Sequence, residues 1–164
     1  MLFLQERLLM EKKLIEWDLA EVSKALQLTE VETKEYFTDG RRVSFMIERR
    51  LAKILGGTLA SSEGASFDLL DSEGKKWEVR SLTKGGIYFC PSYMVGSGRA
   101  FEEKGFLKKL QEIKGYLISD ITKFPKVPYW SISSEKIKEL YLGGHLGSTT
   151  KITRKIFFET IIGA

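Results

Sequence analysis

One stretch decides the fold of this chain: Phe67-Asp68-Leu69-Leu70-Asp71-Ser72-Glu73-Gly74-Lys75-Lys76-Trp77-Glu78-Val79-Arg80-Ser81. Two apolar runs flank a polar segment that contains Glu73-Gly74. Because glycine and small polar residues mark turns between strands, this stretch predicts an antiparallel hairpin.

The second strand of this hairpin carries charged side chains on one face. Side chains alternate along a strand, so Trp77 and Val79 share one face, and Glu78 and Arg80 share the other. Asp68 comes ten residues before Glu78. The hairpin therefore brings two acids and a cation to paired strands, where they are able to hold a divalent metal ion against a phosphate.

The amino-acid composition limits the class of protein to which the chain belongs. The chain has 164 residues, which fits one compact domain, and its 43% hydrophobic and 29% charged residues argue against disorder. One cysteine and one histidine exclude a disulfide framework and argue against a structural zinc site. The net charge of +4 is compatible with nucleic acid without being diagnostic.

The sequence also indicates where in the cell the protein is located. Charged residues interrupt the N-terminus too early for a signal peptide, and no apolar run is long enough to cross a bilayer. A lone cysteine fits a reducing compartment. We therefore expect a cytoplasmic protein without membrane contact.

The order of elements predicts an α/β domain. The first three strands are expected to be antiparallel, and a crossover helix is expected to lead to the later strands. Residues 1–40 are predicted as a helical arm and residues 41–164 as the catalytic domain. Residues 152–162 are apolar and fit either a strand or a helix.

The predicted helices are Val43–Leu55, Phe101–Ile113 and Ser134–Leu142, and the predicted strands are Ser66–Leu70, Trp77–Leu82, Ile87–Cys90, Gly115–Ile121 and Val127–Ile132.

The arm is predicted to be helical because apolar residues recur in it at helical spacing. Thr29 and Glu32 form a predicted capping box, and Gly40 is expected to end the helix that follows. Two short helices of this kind resemble a helix-turn-helix. The arm is predicted either to grasp DNA or to pack as a dimerisation element. The apolar set of the arm consists of Leu8, Leu9, Leu14, Ile15 and Leu19.

The acids and the arginine suit phosphodiester hydrolysis. Mg²⁺ is usually held by one or two carboxylates that leave water positions open, and Asp68 and Glu78 with the Val79 carbonyl are candidate ligands. Arg80 is a candidate for the scissile phosphate, since its pKa is too high for it to take a proton. Glu48, on the preceding helix, is a candidate to support a water. An ordinary hairpin with surface ion pairs is the alternative.

This pattern resembles that of the PD-(D/E)XK nucleases, the restriction-endonuclease-like superfamily. The resemblance consists of Asp68, Glu78-Val79-Arg80 and the helical Glu48, and it extends over residues 43–132. Phe67 stands where that family often has proline, and Arg80 stands where it usually has lysine. The resemblance implies a mixed sheet flanked by helices.

The function implied by the resemblance is Mg²⁺-dependent, sequence-specific cleavage of double-stranded DNA by a homodimer, as in a small type II restriction enzyme. A nicking subunit, a homing endonuclease, an inactive DNA-binding module and a non-catalytic interaction protein are the alternatives.

Further DNA contacts are expected in the Gly- and Ser-rich segment after the second strand, although a plain turn and structural tyrosines also explain it. Asp71 is interpreted as the turn residue and not as a metal ligand. The candidate DNA-binding residues are Lys84, Tyr88, Ser92, Tyr93, Ser97 and Arg99.

Overall fold

The computed structural model describes residues 10–62 and 65–163. None of the helices in these two ranges is long and apolar enough to cross a membrane. The described strands are β1 (Lys13–Glu16), β2 (Thr58–Leu59), β3 (Leu69–Leu70), β4 (Lys76–Leu82), β5 (Ile87–Tyr88), β6 (Gly115–Asp120), β7 (Lys126–Ser133) and β8 (Lys151–Ile152). The described helices are α1 (Leu19–Leu26), α2 (Glu30–Phe37), α3 (Gly40–Ile54), α4 (Glu103–Glu112), α5 (Ser134–Leu142) and α6 (Arg154–Ile156), which continues as a π-helix at Phe157–Ile162.

Six strands form one mixed sheet in the order β1-β7-β6-β4-β3-β2. Strands β4 and β6 are parallel, with Trp77 opposite Gly115 and Leu82 opposite Asp120, and the other neighbours are antiparallel. Helix α4 lies on the connection between the two parallel strands. The predicted mixed α/β class and crossover helix are therefore confirmed.

Apolar side chains leave β6 toward both faces of the sheet. Every residue of this strand is buried, as an apolar run in a central strand predicts. Tyr116 and Ile118 pack in one core with α4 and α5, whereas Leu117 packs in a second core with α3. The sheet is thus covered by α3 on one face and by α4, α5 and the C-terminal helix on the other.

Local turn chemistry forms the β3–β4 hairpin as predicted. The Asp71 carboxylate accepts hydrogen bonds from the backbone N–H of Glu73 and Lys75, both at 2.9 Å, and from the Trp77 indole at 2.9 Å. Gly74 adopts φ +75°, a conformation that costs glycine little. Asp71 is therefore the turn residue, as interpreted from the sequence.

The helical prediction for Leu14 and Ile15 is wrong, because these residues lie in β1 at the edge of the main sheet. Ile15 pairs with Val127 and is fully buried, while Leu14 is 49% exposed. The apolar spacing of residues 8–19 predicts a helix here because a four-residue strand with one inward side chain has little periodicity of its own. Leu8 and Leu9 lie outside the described residues.

Helices α1 and α2 form as predicted, with the capping box between Thr29 and Glu32 in place. Gly40 does not end α2, which stops at Phe37; it is the first residue of α3. The third strand of the predicted meander is shorter than expected and leaves the main sheet. It is β5, which pairs with β8 from the C-terminal tail.

The register of β1 gives the first prediction. Ile15→Ala should lower the free energy of unfolding by about 2–4 kcal/mol, because it removes a fully buried side chain and leaves a cavity. Leu14→Ala is the matched control and should change it by less than about 0.5 kcal/mol. Denaturant unfolding measures both, and equal losses would contradict the strand register.

Candidate active site

Three carboxylates converge where the hairpin meets α3. Glu48 lies on α3, Asp68 directly precedes β3, and Glu78 is the third residue of β4. The Asp68 backbone extends the strand pairing, since its N–H donates to the Trp77 carbonyl at 2.9 Å and its own carbonyl accepts from Ala60 at 2.8 Å. The acids predicted from the sequence therefore share one site.

Glu78 is buried between two cations. Its residue is 6% exposed, and its Oε1 lies 2.7 Å from Arg80 Nη1. Its Oε2 lies 2.6 Å from Lys109 Nζ. Both oxygens of this carboxylate are thus paired.

Asp68 is oriented by the strand beside it. The backbone N–H of Val79 donates to Asp68 Oδ2 at 2.7 Å. Burial raises the pKa of Asp68 and the neighbouring Glu78 raises it further, while the bond from Val79 partly offsets both. One carboxylate oxygen is therefore fixed in place by the backbone.

Glu48 has a strongly perturbed pKa. Partial burial, and then repulsion from Asp68, raise its pKa from the ordinary value of 4.5 to about 7. Glu78 acts in the same direction, whereas Arg49 and Arg80 oppose it. A carboxyl that titrates near neutrality in a cleft is typical of a functional site.

Arg80 is held by protein groups on several sides. Besides Glu78, its Nη2 donates to the Cys90 carbonyl at 3.1 Å, and its guanidinium lies 5.0 Å from the centre of the Tyr88 ring. Burial lowers the pKa of Arg80, but Glu78 together with Tyr116, Tyr88 and Asp68 outweighs this and raises it. Arg80 therefore stays charged and braces Glu78 against the segment after β5.

Lys109 was missed from the sequence. Its Nζ contacts both Glu78 and the Ser66 carbonyl. On α4 it lies between Phe106 and Ile113, which are buried in the core. A lysine at helical spacing within an apolar face is the signal that was available, because such a position points inward and needs a partner.

Two clefts meet at the carboxylates. The α3 cleft encloses about 590 Å³. The α4 cleft encloses about 360 Å³. Asp68 lines both. The α3 cleft is lined by Gly40, Ser44, Glu48, Asp68, Arg80 and Tyr88, among others. The α4 cleft is lined by Ser66, Asp68, Glu78, Tyr93, Lys108 and Lys109, among others.

The predicted DNA-binding residues divide between these clefts and the surface. Tyr88 lines the α3 cleft, and Ser92 and Tyr93 line the α4 cleft. Lys84 and Ser97 are exposed and line neither.

Arg99 holds its own loop instead of reaching outward. Its Nη1 donates to the carbonyls of Ser92 and Val95, both at 3.2 Å. The guanidinium expected to contact a base edge is therefore used in this structure to shape the segment that carries Tyr93.

Neither of the two helices described between residues 10 and 40 is basic. Helix α2 has the sequence EVETKEYF, with three glutamates and one lysine, and a helix of this charge is poorly suited to a phosphate backbone. Its Thr33 instead accepts a buried hydrogen bond of 2.8 Å from Ser23 of α1. The two helices pack on each other, and this favours the packing alternative over DNA reading.

The carboxylate oxygens of the site are the candidate donors for Mg²⁺. Across residues 10–62 and 65–163, no group of three or more His, Cys, Asp and Glu side chains is arranged to hold a metal ion. The available donors are hard oxygens, which suit Mg²⁺, and burial, followed by repulsion from neighbouring acids, raises the pKa of Glu48 and Asp68. The residues thus fit the ion in chemistry, with Glu78 occupied by its two ion pairs.

Comparison with known proteins identifies no relative. No protein-family model matches the chain, and neither a curated protein nor a solved structure matches it.

The pKa of Glu48 gives a prediction for the metal-free protein. Below pH 4.5 the Glu48 carboxyl is protonated in both the folded and the unfolded protein. Between pH 4.5 and 7 it ionises in the unfolded chain but stays protonated in the folded protein, so the free energy of unfolding falls as the pH rises. Glu48→Gln cannot ionise, and it should be more stable than the wild type at pH 8 by roughly 1–2 kcal/mol, allowing for partial exposure.

Thermal unfolding at pH 4.5 and pH 8 measures this effect, and the gain should vanish at the lower pH. Glu35→Gln, on the exposed face of α2, is the control and should show no gain at either pH. A Glu48→Gln variant with the pH dependence of the wild type would contradict the perturbed pKa.

Proposed function

We propose that this protein is a Mg²⁺-dependent endonuclease that hydrolyses phosphodiester bonds in double-stranded DNA. One observation carries the proposal: Glu48, Asp68 and Glu78 converge with Arg80 and Lys109 at the junction of two open clefts. A structural ion-pair network has no need of acids such as Glu48 and Asp68, whose pKa is raised by burial and then by repulsion from neighbouring acids.

The order of the strands supports the proposal. Strands β2, β3 and β4 form an antiparallel meander, and β4 continues through α4 to the parallel β6. This arrangement, with Asp68 beside β3 and Glu78 on β4, is similar to what the resemblance to PD-(D/E)XK nucleases implies. Membership of that superfamily is part of the proposal.

The charge balance of the site favours a divalent cation and a phosphate. With every group ionised, three carboxylates and two cations leave one net negative charge. A divalent cation would reverse this charge to one net positive, and a site of that sign attracts a phosphodiester. The negative charge of the metal-free site would attract the metal ion. The positive charge of the metal-bound site would attract the phosphodiester substrate.

Asp68, Glu78 and the Val79 carbonyl would hold Mg²⁺, with Glu48 beside them. The bound ion would supply an acidified water and charge stabilisation for the phosphoryl oxygens. Asp68 is positioned for this role by the Val79 N–H, which fixes one oxygen and leaves the other available as a ligand.

Arg80 and Lys109 would stabilise the negative charge of the scissile phosphate. Both end within 2.7 Å of a Glu78 oxygen, so both place positive charge beside the proposed metal ligand. Arg80 remains protonated throughout, because its pKa is raised further by Glu78. Neither residue has to move far for its charge to act on a group bound between Asp68 and Glu78.

An inactive DNA-binding module is the second candidate. The observation that favours it is the pairing of both Glu78 oxygens with cations, which opposes metal binding. A salt-dependent gel shift without Mg²⁺-dependent cleavage of plasmid DNA would identify this function.

We also propose a homodimer, because cutting both strands of a duplex takes two centres. Leu26 of α1, Leu28 of the connection to α2 and Val31 of α2 are 47%, 39% and 66% exposed and offer apolar surface for pairing. Light scattering with and without DNA tests this assembly, and a strict monomer would favour a nicking subunit.

Removal of the acids tests the proposed centre. Asp68→Asn and Glu78→Gln should each lower Mg²⁺-dependent plasmid cleavage by at least about 1,000-fold, because each removes a ligand charge. Asp71→Asn is the control in the same hairpin and should keep its activity within about tenfold. EDTA should abolish cleavage by the wild type. Near-normal cutting by Asp68→Asn in a folded protein would contradict the assignment.

Lys109 gives an independent prediction. Lys109→Met should lower cleavage by roughly 100-fold or more, as loss of a transition-state charge partner does. It should leave Ca²⁺ binding, measured by calorimetry, unchanged or tighter, because Glu78 loses a competing cation. Lys104→Met, at an exposed position of α4, should match the wild type. Weaker Ca²⁺ binding together with normal cleavage would contradict this role.

A further inference from the structure

The α4 cleft is a concave site beside the carboxylates, and the proposed chemistry gives no role to Tyr93 and Lys108 in its wall. Its volume of about 360 Å³ is at the low end of the range of roughly 300–1,000 Å³ that holds small ligands. That space suits one nucleotide and is too small for a base pair. Its wall carries an aromatic ring, Tyr93, and two lysines, Lys108 and Lys109.

Tyr93 is positioned by the backbone around it. It lies in the 3-10 turn Ser92–Met94, whose Met94 N–H donates to the Pro91 carbonyl at 2.9 Å and whose Met94 side chain is buried. Its hydroxyl packs against Gly105 of α4, where an added Cβ would come within 2.8 Å of that oxygen. A residue without a side chain at position 105 therefore lets the ring lie across α4.

The Tyr93 ring is accessible although its tip is packed. The residue is 62% exposed, and among the described residues no aromatic ring or cation stacks on it. Tyr88, in the other cleft, differs because the Arg80 guanidinium covers its ring. The cleft carries Lys108 and Lys109 beside Asp68, Glu78 and Glu112, and an exposed aromatic ring at its wall offers a face on which an unpaired base stacks.

The lysines and the acids fix how a strand would lie. Asp68 and Glu78 form the wall of the α4 cleft nearest the proposed centre, and Lys108 and Lys109 come from the adjoining turn of α4. A base on Tyr93 would therefore have its own phosphates beside the lysines and the carboxylates. A nucleotide whose base lies on Tyr93 has left its helical stack, because neighbouring bases cover both faces of a stacked base.

We propose that the α4 cleft binds a single unpaired nucleotide adjacent to the scissile phosphate, with its base stacked on Tyr93 and a phosphate at Lys108. The double-stranded substrate is therefore unpaired at the cut site, with this nucleotide extruded from its helical stack. This inference rests on the proposed endonuclease function and adds the form of DNA on which it acts.

Fluorescence anisotropy with Ca²⁺ in place of Mg²⁺ tests this binding without cleavage. The three labelled probes are an oligothymidylate, a perfect duplex and the same duplex with one unpaired nucleotide. The wild type should bind the first and third probes more tightly than the second. Tyr93→Leu should weaken binding of those two by roughly tenfold or more, and Tyr93→Phe should stay within about twofold of the wild type.

The exposed Tyr36 of α2 provides the matched control, and Tyr36→Leu should bind every probe as the wild type does. Tightest binding of the perfect duplex, or equal binding by Tyr93→Leu and Tyr93→Phe, would overturn the inference. Cleavage assays separate the two proposals. Duplex cleavage that depends on Asp68 without any dependence on Tyr93 refutes only the unpaired nucleotide, whereas Tyr93-dependent binding without cleavage refutes only the nuclease.

Discussion

The buried carboxylate of Glu78 joins the crossover helix to the sheet. Arg80 reaches it from the same strand and Lys109 from α4, at 2.7 and 2.6 Å. Loss of one partner from a buried ion pair typically costs about 3–5 kcal/mol, because the remaining charge is left unpaired. This contact fixes α4 against β4, and it therefore also sets the width of the α4 cleft.

The site combines structural stability with electrostatic strain. Glu78 is neutralised by its cations, but Glu48 and Asp68 remain close to it, and burial together with repulsion raises the pKa of both. The folded protein thus has carboxylates that are held in an unfavourable arrangement, as at many functional sites. Binding of a cation there would relieve the repulsion.

The shortness of β3 makes the site accessible. Only Leu69 and Leu70 pair as strand residues, and the Asp68 backbone continues the pairing by one residue, so the acid lies at the end of the paired strand. Helix α3 approaches this end with Glu48, and α4 approaches it from the other face of the sheet with Lys109.

The sequence by itself determined the features that depend on neighbouring residues. The turn at Asp71 and Gly74, the alternation that sets Glu78 and Arg80 on one face, and the apolar β6 follow from local backbone and side-chain preferences. Only the tertiary structure decided that Ile15 pairs with Val127 and that Lys109 reaches Glu78. Those partners are far apart in the chain, and their contact depends on how the whole sheet and its helices pack, which local periodicity does not encode.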